Sequence, residues 1–211
     1  GLAKGHMVRE IDALGGAMGI NADATGIQFR MLNRAKGPSV RAPRVQCDKK
    51  AYQFRIKWLL ERQPRLDVKQ GGVTKILVKR GRAVGVQSDF GLNVRAGSVV
   101  ITAGTFLRGL LHVGDRSQSG GRMADSSSPL SDNLRELGFA TGRFKTGTPC
   151  RISARSIDFD SCRKQLGEEP PSRFSYLPVA EEFEEEEDFL TLNRVLNGRF
   201  HVEQLPCWIT A

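Results

Sequence analysis

The chain has 211 residues, enough for one or two domains with a real apolar core at 39% hydrophobic content. Lys+Arg 32 against Asp+Glu 23 leaves +9, and the run Glu181 to Asp188 alone holds seven of those acids. Without that run the balance is 32 against 16, a basic body with an acidic appendage, which suits a polyanionic partner. A mean hydropathy of −0.33 and no apolar run near 18 residues exclude a helical membrane span, and no charged leader with an apolar segment marks secretion.

In chain order, Gly1-Leu-Ala-Lys-Gly5 brackets Lys4 with two glycines ahead of a helix, on which Val8, Ile11 and Leu14 recur at spacing three before Gly15-Gly16 end it. Such glycines let backbone amides approach a phosphate or a flat ring, and they also make a plain turn. From Arg30 to Lys57 nine basic residues face one acid, Asp48. The first half of that stretch, with Gly37-Pro38 and Ala42-Pro43, reads as loop. Asp48 is then the N-cap of a helix running to about Gln63, with Tyr52, Ile56, Leu59 and Leu60 on one side and Lys49, Lys50, Arg55 and Lys57 largely on the others. Cations on one surface are what phosphate neutralisation needs, and equally make a solvated helix face.

A β-meander follows. Leu66 to Lys69, Val73 to Val78, Ala83 to Gln87 and Leu92 to Arg95 are short apolar segments, with hairpin-sized connections at 79–82 and 89–91. Ser98 to Thr102 is a continuous apolar run of the kind a buried parallel strand uses, ending in Ala103-Gly104-Thr105. A domain boundary falls near residue 115. Ser117 to Ser128 reads as a Ser/Gly loop, and Ser128-Pro129 opens a short helix with Leu130, Leu134 and Leu137, closed by Gly138. The stretch 139–178 is broken by prolines, and Gly198 to Val202 is a short strand.

Three polar loops offer anion contacts: Gly1–Gly5, Ser119–Arg122 with the 126–128 cap, and Lys145-Thr-Gly-Thr-Pro149 with Arg151. The last lacks the spacing of a nucleoside triphosphatase loop. Each also reads as an ordinary capped helix or solvated turn. The four cysteines (47, 150, 162, 207) are scattered without CxxC, so reduced thiols are expected; Cys150 lies beside Arg151, and Cys207 reads as a core thiol. His6, His112 and His201 have no ligand spacing, so no metal is expected.

Taken in order, the blocks GLAKGHMVREIDALGG, GIQFRMLNRAKGPSVRAPRVQCDKKAY, VVITAGTFLRG, SGGRMADSSSPLS, GRFKTGTPCRI and LPCWIT resemble the GidA/MnmG family, FAD-dependent enzymes that modify tRNA. The likeness covers nearly the whole chain and is weakest across 160–200. It implies an α/β fold. Residues 1–115 would be part of a Rossmann-like FAD-binding domain with its β-meander, and 116–211 an inserted α/β domain associated with NADH and tRNA. The implied activity adds a 5-carboxymethylaminomethyl group, or its taurine analogue in mitochondria, to the wobble uridine of tRNA. FAD, NADH and methylenetetrahydrofolate serve as cofactors, and the flavin carries the one-carbon unit to uridine C5. The implied form is a homodimer working with an MnmE-type GTPase, without a membrane, in the cytoplasm, or in mitochondria if the source is a eukaryote.

By position, Val73 and Ser128 match family FAD contacts, and Gly1, Lys4, Gly5, Gly104 and Thr105 match segments lining the flavin site. Arg41, Arg44, Arg122, Lys145 and Arg151 are the candidates for tRNA or anion contact. Cys150 stands where the family has proline. The family's GxGxxG turn and its two functional cysteines, in CNPAIGG and YCPSIE blocks, are not in this sequence, nor is the helical region that binds the GTPase. The resemblance therefore implies an internal fragment, inactive alone and with no catalytic residue of its own. A non-enzymatic tRNA-binding module, or a relative of the folate- and FAD-dependent tRNA uridine methyltransferase, are the alternatives.

Overall fold

The structure, a computed structural model, describes residues 4–147, 149, 152–177, 190–196 and 198–210. The acidic run, Gly1, Cys150 and Arg151 therefore lie outside the described residues. The chain divides into two compact units, Gly1–Val68 with Arg151–Ala211, and Lys69–Cys150.

In the first unit, α1 (Lys4–Ala13) and α2 (Ala17–Thr25) pack together. Gly15 takes φ 83° at the turn between them, a conformation glycine adopts without a Cβ penalty. The expected apolar stripe of α1 is not its buried face: Leu14 is 89% exposed, whereas Asp12 is fully buried. The reason lies in α2, an element the sequence reading did not foresee. Its buried residues, Gly19 and Asn21 to Thr25, are small or polar, and Gly19 lets the helices approach closely, since a Cβ there would lie 2.8 Å from Asp12 Oδ1.

The basic stretch expected as loop is a hairpin. β1 (Gly26–Leu32) pairs antiparallel with β2 (Ala42–Cys47), from Gly26↔Cys47 to Leu32↔Ala42. Pro43 hid this strand, since proline cannot donate to a ladder. Here it sits opposite Met31, whose N–H instead donates to Glu168 Oε1 at 2.9 Å. The other edge of β1 is covered by loops: Glu168 N–H donates to Phe29 O, and Leu205 N–H to Ile27 O.

α3 (Lys49–Arg62) starts where expected, with Asp48 Oδ1 accepting from the N–H groups of Lys50 and Ala51 at 2.9 and 2.8 Å. Arg55, expected on the outer cationic face, is buried at 2% exposure, and its guanidinium reaches Asn21 Oδ1 and Thr191 Oγ1. Two small antiparallel sheets complete the unit: β8 (Arg163–Gln165) with β11 (Cys207–Ile209), and β9 (Arg194–Leu196) with β10 (Arg199–His201). The second contains the short strand expected at 198–202.

The second unit holds the meander β3 (Val73–Lys79), β4 (Arg82–Ser88) and β5 (Asn93–Arg95), all antiparallel. Arg80 and Gly81, at φ 51° and 73°, form the two-residue turn whose twist matches a hairpin. Leu66 to Lys69 is not a strand. Nor is Ser98 to Thr102: Val100 is 85% exposed, and the described residues pair no strand with that run. A parallel strand exists only beside its neighbours, and apolar sequence cannot supply them.

β6 (Leu110–Val113) and β7 (Arg116–Ser119) make a second hairpin, and α4 (Leu130–Glu136) packs on β3. The expected boundary near residue 115 falls inside this unit. The physical tie is specific: Asn133 Oδ1 accepts from Ile76 N–H at 2.8 Å, and Leu107 bridges to Ser128, so 119–136 is held to 73–107.

Candidate functional site

Two positions matched to cofactor contact, 55 residues apart in sequence, meet in the second unit. Ser128 Oγ donates to Val73 O at 2.9 Å and accepts from Leu130 N–H at 3.2 Å. One hydroxyl thus starts α4 and fixes it to the first residue of β3. Ser128 is the capping side chain although Pro129 immediately precedes the helix. Its main chain is also tied: Ser128 N–H donates to Phe106 O at 2.7 Å, and Arg108 N–H to Ser128 O at 2.9 Å.

The same segment carries the next pair. Thr105 Oγ1 donates to Gly121 O at 2.6 Å, so the Gly104-Thr105 turn is bound to the Ser/Gly loop. Gly104 takes φ 55°, and a Cβ there would meet no atom within 4 Å. That combination, an exposed left-handed glycine with open space beside it, fits close approach of a flat or phosphorylated group to backbone. With the Ser128 hydroxyl, its main-chain groups and Val73 O engaged inside the protein, the Gly104-Thr105 turn is the part of this arrangement open to a ligand.

The remaining candidates are placed as follows. Lys4 begins α1. Gly5 is buried, and a Cβ on it would lie 2.6 Å from Pro43 O. Its missing side chain therefore lets α1 cross β2. Arg41 is exposed, with Nε donating to Arg34 O at 3.3 Å. Arg44 is part-buried and donates to Gln28 Oε1 at 2.9 Å, which makes it a packing residue of the hairpin as well as a cation. Arg122 pairs with Asp125 at 2.6 Å across a single turn, and Lys145 is exposed. Arg44 and Arg41 belong to the first unit, Arg122 and Lys145 to the second.

A buried cluster in the first unit was missed. Asp12 and Asp23, at 0% and 2% exposure, together hold the 173–177 segment. Asp23 accepts from the N–H groups of Phe174 and Ser175 at 2.6 and 2.9 Å, and Asp12 from Ser175 Oγ and Tyr176 N–H at 2.6 and 2.9 Å. Burial pushes the Asp23 carboxyl up to about 6; the two backbone donors and Arg173 oppose that shift, and Asp12 adds to it. The one signal in the sequence is an acid set among small residues, Asn21-Ala-Asp-Ala24, inside what would otherwise be an alanine-rich helix.

Cys47, Cys162 and Cys207 are free thiols. Cys207 Sγ lies 2.8 Å from Gln46 Oε1 and 3.0 Å from Gln28 Oε1, within donating distance of two neutral amide oxygens. Among the described residues no group of His, Cys, Asp or Glu could hold a metal ion, and no helix is long and apolar enough to cross a membrane.

The mixed helix-and-sheet architecture and the ordered blocks identify the class. The family model for glucose inhibited division protein A matches residues 1–210, and the chain belongs to that family. It is 55% identical over 177 residues to the tRNA uridine 5-carboxymethylaminomethyl modification enzyme MnmG of Geobacter metallireducens, covering 83% of this chain and 28% of that protein. Against the MnmG of Nitratiruptor sp. it is 44% identical over 211 residues, all of this chain and 31% of that one. The solved structure of Aquifex aeolicus GidA superposes with a TM-score of 0.82 at 42% identity, covering 99% of this chain and 33% of that chain. The chain thus spans about a third of the relatives it matches.

Proposed function

We propose that this chain is a segment of an FAD-dependent enzyme that adds a 5-carboxymethylaminomethyl group to the wobble uridine of tRNA. What supports the reading most is identity across all 211 residues to an enzyme of that name. The meeting of Val73 and Ser128 agrees with it, since two positions matched to FAD contact only by the family resemblance, and far apart in sequence, share one hydrogen bond.

In this reading the flavin lies against Val73, Gly104-Thr105 and Ser128, and contacts continue past residue 115 because 116–150 belong to the same compact unit. FAD, when bound, supplies the redox chemistry, and the protein binds and orients it. The chain's own part is to hold the unobstructed Gly104-Thr105 turn on a rigid hydrogen-bonded frame. Gly1, Lys4 and Gly5, matched to flavin-lining segments by the family resemblance, belong to the same reading. Arg41, Arg44, Arg122, Lys145 and Arg151 contribute positive charge toward tRNA phosphates.

The whole protein uses NADH and methylenetetrahydrofolate, works as a homodimer with an MnmE-type GTPase, and acts in the cytoplasm. The test is complementation. A bacterium lacking its own MnmG is given the full-length parent gene, and its tRNA nucleosides are read by mass spectrometry. The modified wobble uridine should return; its continued absence, with the protein present and flavin-loaded, refutes the proposal.

A further inference from the structure

Within the first unit, a cleft of about 660 Å³ separates the Glu169–Pro171 loop from the strand segment Arg199–Val202. That volume lies in the ~300–1,000 Å³ range of sites for small organic groups. Its walls differ in kind. Arg199 and His201 alternate along β10, so their side chains project to one face and both are exposed. Pro170 and Pro171 offer apolar surface on the other wall. Phe200 is anchored to the core edge-on against Phe29, with ring centroids 5.4 Å apart, which fixes the strand that carries the two polar residues. Glu169 stands at one end, one carboxylate oxygen engaged by Gln204 Nε2 at 2.9 Å.

The loop that forms one wall of the cleft is tied to the basic hairpin. Glu168, next to Glu169, accepts from Met31 N–H and pairs with Arg34 at 2.8 Å. Arg41 in turn donates to Arg34 O. Contacts therefore link a track of cations at the β1–β2 tip, Arg34, Lys36 and Arg41, to the loop that walls a cleft holding one guanidinium and one imidazole.

Cations for phosphates, an imidazole plane beside apolar surface, and a carboxylate able to take base amino groups are components by which proteins hold an unstacked nucleotide of RNA. We propose that this cleft receives one unpaired nucleotide of the tRNA. Its phosphate meets Arg199, its base lies between the proline rings and His201, and the flanking phosphates follow Arg34, Lys36 and Arg41. The proposal rests on the reading of tRNA as substrate. A peptide segment fits less well, because the cations of the track would find no matching charge in a neutral chain.

The test uses the full-length, flavin-loaded parent and unmodified tRNA, with affinity measured over a salt series. The R199Q/H201Q variant should bind five- to tenfold more weakly, with the log–log salt slope lower by about one, the loss of one phosphate contact. R199K should recover the slope, because it restores charge without the guanidinium shape. K79Q, on the β3–β4 turn of the other unit, should bind as wild type. Independently of any variant, tRNA carrying 4-thiouridine should crosslink to the peptide containing 199–202. If wild type binds tRNA but the double variant binds equally, or no crosslink reaches that peptide, the cleft is not a nucleotide site and the tRNA reading stands. A double variant that changes oligomeric state with unchanged tRNA affinity assigns the cleft to protein contact, which also overturns the proposal. If wild type binds no tRNA at any salt, both readings fall together.

Discussion

Asp23 holds a carboxyl where water does not reach, and its titration has a definite sign. Burial raises it from 3.8 to about 6, so the folded state holds the proton more tightly than the unfolded. The stability contributed by that proton is full below 3.8 and is lost as pH rises through 6. The 173–177 segment should therefore be tighter in mild acid. Amide exchange at Phe174 and Ser175, corrected for intrinsic rate, is expected to be about tenfold better protected at pH 5 than at pH 7.5. In Asp23→Asn that pH difference should vanish; its persistence would assign it to another group. Ser128 poses a second residue-level test. Ser128→Ala removes a donor to Val73 O and the acceptor for Leu130 N–H. A loss of about 1–2 kcal/mol follows from those two bonds. Weaker FAD retention in the full-length parent on gel filtration should accompany it. Neither carboxylate was singled out from the sequence, because a buried acid and a solvated one are spelled alike.

Elements with a local signal were the legible ones. Asp48 before Lys49 states a helix start by its own chemistry, and the structure places both hydrogen bonds there. Asp48→Ala should cost about 1 kcal/mol, readable as a lower denaturation midpoint at unchanged m-value. Gly138, at φ 91°, closes α4 in a conformation that favours glycine. Gly138→Ala should cost on the order of 1 kcal/mol or more, and the same denaturation series would show it. The turns at Gly81 and Gly91 were legible for the same reason. By contrast α2, Ala17–Thr25, has no apolar stripe, and β2 contains Pro43. Each is an element because of what it packs on: α1 for the helix, and β1 with the Glu168 and Leu205 loops for the strand.

For the molecule as a whole, the two compact units follow contacts rather than chain order. Residues 151–211 return to complete the unit begun by 1–68. Phe29 shows how, with Glu168, Gln204 and Phe200 all converging on it from more than 130 positions away. The cofactor reading has a consequence at this scale. The chain of 211 residues alone should remain colourless after expression and gel filtration, since the family's GxGxxG turn is not in this sequence. The full-length parent should be yellow. A flavin-bound isolated chain would mean that the contacts around Ser128 suffice.

The sequence by itself determined what adjacent residues decide: the Asp48 cap, the glycine turns, the meander, the basic balance, and through its ordered blocks the family. Tertiary structure decided which side chains share a place. It buried Arg55 and the Asp12–Asp23 pair, joined Ser128 to Val73, and left Val100 exposed. Local chemistry acts over a few residues and is written in their order. Burial and pairing depend on partners brought from far along the chain, so they exist only once it has folded.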